Sequence, residues 1–356
     1  MRKIAFALLS LAIGAFAAFA FVEIGMRILG IAYPLFVVPD SVAGVRMWPN
    51  LKAWYTLEGR AFVEVNSIGF RDVEHEREKP ENEFRFALLG DSFTAGMEVP
   101  FDDLYFNVAK RALAQCPGLS GRRPVPIAFG ISGIGTAQEL EILRNTAWDY
   151  DPDLIILAFV SNDFTDNHPA FGGGAAKPFY LFDDSGQLVL DDSFKTSPGH
   201  ALRTSPIRNL RRQAIQSSRM LQLMLELYNA MARRSALSEM AERAGSFNRL
   251  PETRPVAEAW SITEAAIGLM AKEVEAREKD FLFFSVSTGH QVHPDREQRI
   301  ARLADTHGGS LFYWNERLER FAAQNGIEYL DIIEPLLSHA EASQRCVHGF
   351  ENAIPC

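Results

Sequence analysis

Three short runs of mostly apolar residues, 84–89, 154–160 and 281–286, constrain this chain more than any other feature. A strand with one wet face alternates apolar and polar residues; these runs do not alternate. Both of their faces must be covered, which is the signature of a parallel sheet sandwiched between helices. The intervening segments read as those helices. One is expected over 102–115, with Leu104, Val108, Ala112 and Leu113 on one side and Asp102 or Asp103 as its cap. Others are expected over 137–150, about 255–278, and 311–324, where Asn325-Gly326 stops the last. Shorter strands are expected at 126–129 and 327–330. Strands alternating with helices in this way predict a doubly wound α/β domain over 81–356.

The alternation is interrupted at about 165–250. Gly172-Gly173-Gly174 and Asp183-Asp184-Ser185-Gly186 are turn signals, 179–182 and 188–190 read as a hairpin, and 219–234 reads as a helix. Such insertions near strand ends cover sites in folds of this class. Ahead of the domain, 31–80 reads as a linker and small module, with Pro34, Pro39, Pro49 and Pro80. Its charged end, 72–83, is most simply a solvated loop.

The N-terminus predicts a membrane anchor over 1–30. Arg2 and Lys3 precede an uncharged run over 4–22 in which only Ser10 is polar. A helix of that length spans about 28 Å, close to the hydrocarbon thickness of a bilayer. Ala18-Phe19-Ala20 would serve as a signal-peptide cleavage site, but the run is longer than the usual signal and continues as helix through Glu23 and Arg27, spaced for an i, i+4 ion pair. Basic residues before the run predict a single pass with a cytoplasmic N-terminus and everything after it outside. The net charge of −9 argues against a nucleic-acid surface, which would need a basic stripe. Of three cysteines, Cys346 and Cys356 could close a short loop, leaving Cys116 as a buried thiol at a helix end.

In doubly wound sheets, ligands sit beyond the carboxyl ends of the strands. Gly90-Asp91-Ser92-Phe93-Thr94 follows the first strand, Gly130-Ile131-Ser132-Gly133-Ile134-Gly135-Thr136 the second, and Ser161-Asn162-Asp163-Phe164 the third. Each alone has a plainer reading, as a helix cap or a turn. Together they make an acyl-transfer site. The Ser92 hydroxyl lies near a helix N-terminus, which favours developing negative charge. The Gly133 N–H can approach a substrate unobstructed, and the Asn162 amide is a second donor. Donors aimed at a tetrahedral oxyanion are each worth about 3 kcal/mol in serine enzymes.

On these three blocks the chain resembles the SGNH, or GDSL-type, esterases and lipases, over roughly residues 60–335. The resemblance implies Ser92 as nucleophile and Gly133 and Asn162 as the oxyanion hole, although Ser161 stands where the third block usually has glycine. With Asn66-Ser67-Ile68-Gly69-Phe70-Arg71 and the N-terminal segment, it is similar to a bacterial membrane-anchored branch. It implies a flavodoxin-like three-layer αβα fold and no metal or cofactor. The family carries its general base in Asp-x-x-His after the last strand, and no such block follows Asp331. His348 has Arg345 three residues before it, His339 reads as an exposed helical turn, and Asp295 follows His293 in the wrong order. His290 and His293 read as a loop at the site rim, while His75, His168, His200 and His307 have no strand-end placement to recommend them. The expectations are therefore a chain that stops before its base, a displaced base at His348, or an inactive site.

The leading expectation is a serine esterase acting outside the cytoplasmic membrane, with O-acetyl groups on envelope carbohydrate as one substrate class. An O-acyltransferase passing the acyl group to a sugar hydroxyl would use the same residues. An anchored binding module is the non-enzymatic alternative. A nucleotide-binding reading of the 130–135 loop lacks Gly-x-Gly-x-x-Gly after the first strand.

Overall fold

The computed structural model describes residues 2–57, 59–172, 176–244, 253–303 and 310–348, with backbone alone for 232–244 and 302. The chain begins with α1 (Arg2–Ile28), then forms two short antiparallel pairs, β1 (Val37–Pro39) with β2 (Val45–Met47) and β3 (Lys52–Tyr55) with β4 (Ala61–Glu64). The α/β alternation follows: β5 (Glu83–Gly90), α2 (Ser92–Ala95), α3 (Tyr105–Leu113), β6 (Arg123–Gly130), α4 (Thr136–Asn145), β7 (Leu154–Phe159) and α5 (Asp163–Asp166). The predicted hairpin is β8 (Phe179–Phe182) with β9 (Leu188–Asp191). After it come α6 (Pro198–Thr204), α7 (Pro206–Ser217) and α8 (Arg219–Ala244). The alternation then resumes with α9 (Arg254–Glu275), β10 (Asp280–Ser285), α10 (Arg296–Leu303), α11 (Tyr313–Asn325), β11 (Glu328–Leu330) and α12 (Ile333–Ser343).

Five strands form one all-parallel sheet in the order β6-β5-β7-β10-β11. By position in the sequence this is 2-1-3-4-5, the flavodoxin-like order, whose direction of winding reverses between the first and third strands. Alternate residues of β5 point into two cores. Ala87 and Leu89 join Phe129, Leu157 and Phe283 with Leu140 of α4, Trp260 of α9 and Trp314 of α11. Phe86 and Leu88 join Leu104, Phe106 and Ala128 on the other face. Helices therefore cover both faces, as the non-alternating strands require. The sheet's one buried cation, Arg85, pairs with Glu83 at 2.9 Å and donates to the Tyr150 carbonyl.

Three local expectations change. The helix over 102–115 starts at Tyr105, after a 3-10 turn at Phe101–Asp103, and neither Asp102 nor Asp103 caps it. Its inward side is set by Phe106, fully buried, rather than by Val108, which is 47% exposed, because the larger ring takes the core position. The charged loop after Arg71 is solvated only in part. Asp72 is buried, accepts a hydrogen bond from Ala128 N at 2.8 Å and pairs with His75 at 3.0 Å. Cys116 is exposed and free rather than buried, while Cys346 is disulfide-bonded and Cys356 lies outside the described residues.

The chain divides into two compact units, one of residues to Phe36 with Ala201–Glu242, the other of Val37–His200 with the remainder. In the first, α1 is the one helix among the described residues long and apolar enough to cross a membrane, a test that a signal sequence also passes. Its apolar side chains are exposed, among them Phe6, Leu11, Phe16 and Phe21. The second unit holds the sheet and every residue of the candidate site.

Candidate active site

The winding reverses between β5 and β7, and in sheets of this order the loops leaving those two strands diverge to open the ligand crevice. Ser92 follows β5 and Asn162 follows β7, so the topology alone places both at its mouth. Asp91 joins them. Its Oδ1 accepts from Phe93 N at 3.0 Å, capping the one-turn helix α2. Its Oδ2 accepts from Ser92 Oγ at 3.3 Å and from Asn162 Nδ2 at 3.1 Å. The same Asn162 amide donates to Asp166 Oδ2 at 3.3 Å, and Asp166 in turn pairs with Lys177 at 2.9 Å. Both Asn162 N–H bonds are thus engaged by carboxylates, so it would have to release one to serve an oxyanion. Burial pushes the Asp91 carboxyl above its ordinary range, against the pull of the hydrogen bonds from Phe93, Asn162 and Ser92.

The serine turn is fixed from outside as well. Gly96, in the left-handed region, closes α2 by donating to Ser92 O at 2.8 Å. Arg71, 1% exposed, donates to the carbonyls of Ala95, Gly96 and Val99 just beyond it. Burial lowers that guanidinium to about 10. A fixed cation against three carbonyls suits a helix C-terminus, where the backbone dipoles present negative ends. The turn also lies directly on the end of β6, since a Cβ at Gly130 would come within 2.3 Å of Ala95 N.

Gly133 is exposed at the crevice loop with φ +82, where a side chain would be strained although the space around it is open. Behind it, Asn167 ties the third block to the second, accepting from Ala137 N at 2.8 Å and donating to Thr263 Oγ1 at 2.9 Å.

Two fully buried carboxyls lie under this loop system. Glu139 on α4 has neither oxygen hydrogen-bonded, and Asp163 binds Val160 N at 2.7 Å through one oxygen only. Both are held well above the ordinary carboxyl range. Burial is the main cause for each. Asp91 and Asp166 add to it for Glu139, and Glu139 and Asp91 for Asp163.

His348 lies beyond α12. Its Nε2 is 2.8 Å from Oγ of Ser287, which is buried two residues past β10. Its ring stands edge-on to Phe93, with centroids 6.2 Å apart. The chain therefore returns this histidine beside the residue that follows Ser92, although no hydrogen bond joins it to Ser92. Burial pushes its imidazole below the ordinary 6.5. Several of the other described histidines are engaged elsewhere. His293 accepts from Asp295 N at 3.0 Å, His75 pairs with Asp72, and His168 faces Glu258 at 3.5 Å. His200 lies edge-on to Phe194, His339 is exposed on α12, and His307 lies outside the described residues.

Sequence reasoning singled out Ser92, Gly133, Asn162 and His348 but gave no role to Asp91, Phe93 or Ser287. It noted Arg71 only as part of a motif. Asp91 was detectable as the polar residue preceding a helical turn. Ser287 and Phe93 have local surroundings like many others and acquire meaning only through a contact made across the fold. Among the described residues no group of three or more His, Cys, Asp or Glu side chains is arranged to hold a metal ion.

No family model matches the chain, and no curated protein matches it. Among solved structures it is similar to the acetyl xylan esterase AlAXEase, at 12% identity over 73% of this chain and 83% of that one, with a TM-score of 0.37. It is similar to AlinE4, an SGNH-hydrolase family esterase, at 13% identity over 78% and 90%, with a TM-score of 0.32. It is also similar to a catalytic mutant of Axe2, an acetylxylan esterase from Geobacillus stearothermophilus, at 9% identity over 72% and 80%, with a TM-score of 0.35.

Proposed function

We propose that this chain is a serine esterase, anchored by α1 with its N-terminus in the cytoplasm and its site outside, acting on O-acyl esters such as the O-acetyl groups of envelope carbohydrate. The observation that carries this reading is the shared carboxylate. Asp91 Oδ2 accepts from both Ser92 Oγ and Asn162 Nδ2, which brings a hydroxyl and an amide donor to one point at the crevice mouth. Ser92 Oγ attacks the acyl carbon while its proton passes to His348. The leaving alcohol takes that proton, and water then cleaves the acyl-serine by the reverse sequence. The Gly133 N–H and the Asn162 amide receive the oxyanion, Asn162 by releasing one of its two carboxylate bonds. His348 suits the role of base because burial keeps its ring neutral at physiological pH. For that role it must exchange Ser287 for Ser92.

The test is labelling of the purified full chain by a fluorophosphonate, together with release of p-nitrophenol from p-nitrophenyl acetate. Ser92→Ala is expected to abolish labelling and to lower turnover by at least about 10³-fold. Absence of labelling in the wild-type protein would sink the reading.

A further inference from the structure

The first unit contains a surface that the esterase reading does not use. From 201 to 222 the chain has five arginines, Arg203, Arg208, Arg211, Arg212 and Arg219, and no acidic residue, in a protein of net charge −9. Arg208 and Arg211, on exposed turns of α7, have no ion pair or side-chain hydrogen bond among the described residues. Arg212 is held below its ordinary range, first by burial and then by Arg203 and Arg208, so the positive charge is crowded.

The same two helices carry exposed apolar side chains at helical spacing. Ile207 and Leu210 on α7 are 81% and 68% exposed. On α8, Met224, Leu227, Tyr228 and Met231 are all exposed at i, i+3, i+4 and i+7, which places them in a single stripe. Basic residues flanking an exposed apolar stripe are the composition of helices that lie in a membrane interface.

The junction of α7 and α8 is fastened to the end of α1. Glu23, one residue past the uncharged run, accepts from Ser218 Oγ and Met220 N, both at 2.9 Å. Arg27 donates to Ser217 O at 2.6 Å. Just beyond α1, Tyr33 N donates to buried Gln222 at 3.0 Å and Leu35 N to Gln216 at 2.8 Å. If the run before Glu23 fills the hydrocarbon layer, these bonds hold the basic helices at headgroup level.

We infer that the α7–α8 surface docks on anionic phospholipid headgroups of the membrane that α1 enters, with the arginines on phosphates and the Ile207–Leu210 and Met224–Met231 stripes at the acyl boundary. This rests on the reading of α1 as an uncleaved anchor. Charge complementarity and continuity with the anchor decide for lipid over a second protein.

The experiment reconstitutes the full chain in nanodiscs of phosphatidylcholine alone or with phosphatidylglycerol, and follows amide hydrogen exchange over 206–231. The anionic discs are expected to slow exchange at least fivefold, and 0.5 M salt to remove most of that difference, because exposed charge attraction is screened. The double variant Arg208→Gln/Arg211→Gln is expected to bring the lipid dependence below twofold. Unchanged fluorophosphonate labelling of Ser92 would show that the variant is folded. Equal exchange in both lipids, with the chain still resisting alkaline carbonate extraction, would overturn the docking and leave the anchor standing. Release by carbonate would overturn anchor and docking together. Protection that rises with protein-to-disc ratio and ignores lipid charge would assign the stripe to a second copy and overturn the proposal.

Discussion

Ser92 sits on a turn held from three directions, whereas His348, beyond α12, makes one side-chain hydrogen bond among the described residues. The serine turn is capped by Asp91, clamped by Arg71 and seated on Gly130, and each of these comes from a different segment. The histidine has Ser287 and the edge of Phe93. The contrast separates two ways of building a site. A nucleophile at a strand end is placed by the sheet itself. A residue delivered from beyond α12 is placed by whatever holds that segment, here the Cys346 disulfide and the bond to Ser287.

Four substitutions would break or sharpen that contrast. The largest effect is expected from His348→Asn, a loss of at least about 10³-fold in kcat if this ring is the base. In the wild type the base works when neutral. Because burial lowers its pKa, activity is expected to hold below pH 6.5 and to fall only as pH drops through the lowered value. An acid limb unchanged in the variant would take the role from His348. Next is Arg71→Met, which leaves three carbonyls without their donor. About 2–4 kcal/mol of stability should be lost in urea unfolding. An unchanged midpoint would mean that the serine turn does not need its outer clamp.

Ser287→Ala probes the histidine's bond to β10's end. Losing a hydrogen bond of about 1 kcal/mol that the ring must give up to reach Ser92 predicts roughly a fivefold rise in kcat with little change in stability. A drop as large as that of His348→Asn would show the bond to be indispensable. The smallest effect is expected from Glu139→Gln, beneath the serine side. A carboxyl with a raised pKa holds a proton in the folded state that the unfolded chain gives up. Stability therefore falls as pH rises above the ordinary 4.5, until the folded pKa is passed. The amide cannot ionise, so the variant should be more stable than the wild type at pH 8 and show a flatter melting-temperature profile above pH 4.5. A variant less stable at every pH would mean that the carboxyl is needed as such.

The three central strands, β5, β7 and β10, were legible because covering both faces leaves a mostly apolar run, a property each strand carries within itself. The positions of Ser92, Gly133 and Asn162 were legible for a related reason, since each follows such a run directly. The start of α3 was not. Its prediction followed side-chain spacing from Leu104 through Val108, while the fold is governed by the size of Phe106 and by the extended backbone at Leu104. The roles of Arg71 and Ser287 were hidden for another reason. Arg71 acts 24 to 28 positions away and Ser287 acts 61 positions away, and nothing local records a distant partner.

The close seating of the serine turn on Gly130 has a consequence for how this protein can vary. Any side chain there would strike the backbone of Ala95 and lift the turn that presents Ser92. Position 130 need never meet a substrate, yet inheritance should guard it as strictly as the serine. A survey of every substitution, scored for activity, would find the two equally intolerant: one for what its hydroxyl does, the other for the room it leaves empty.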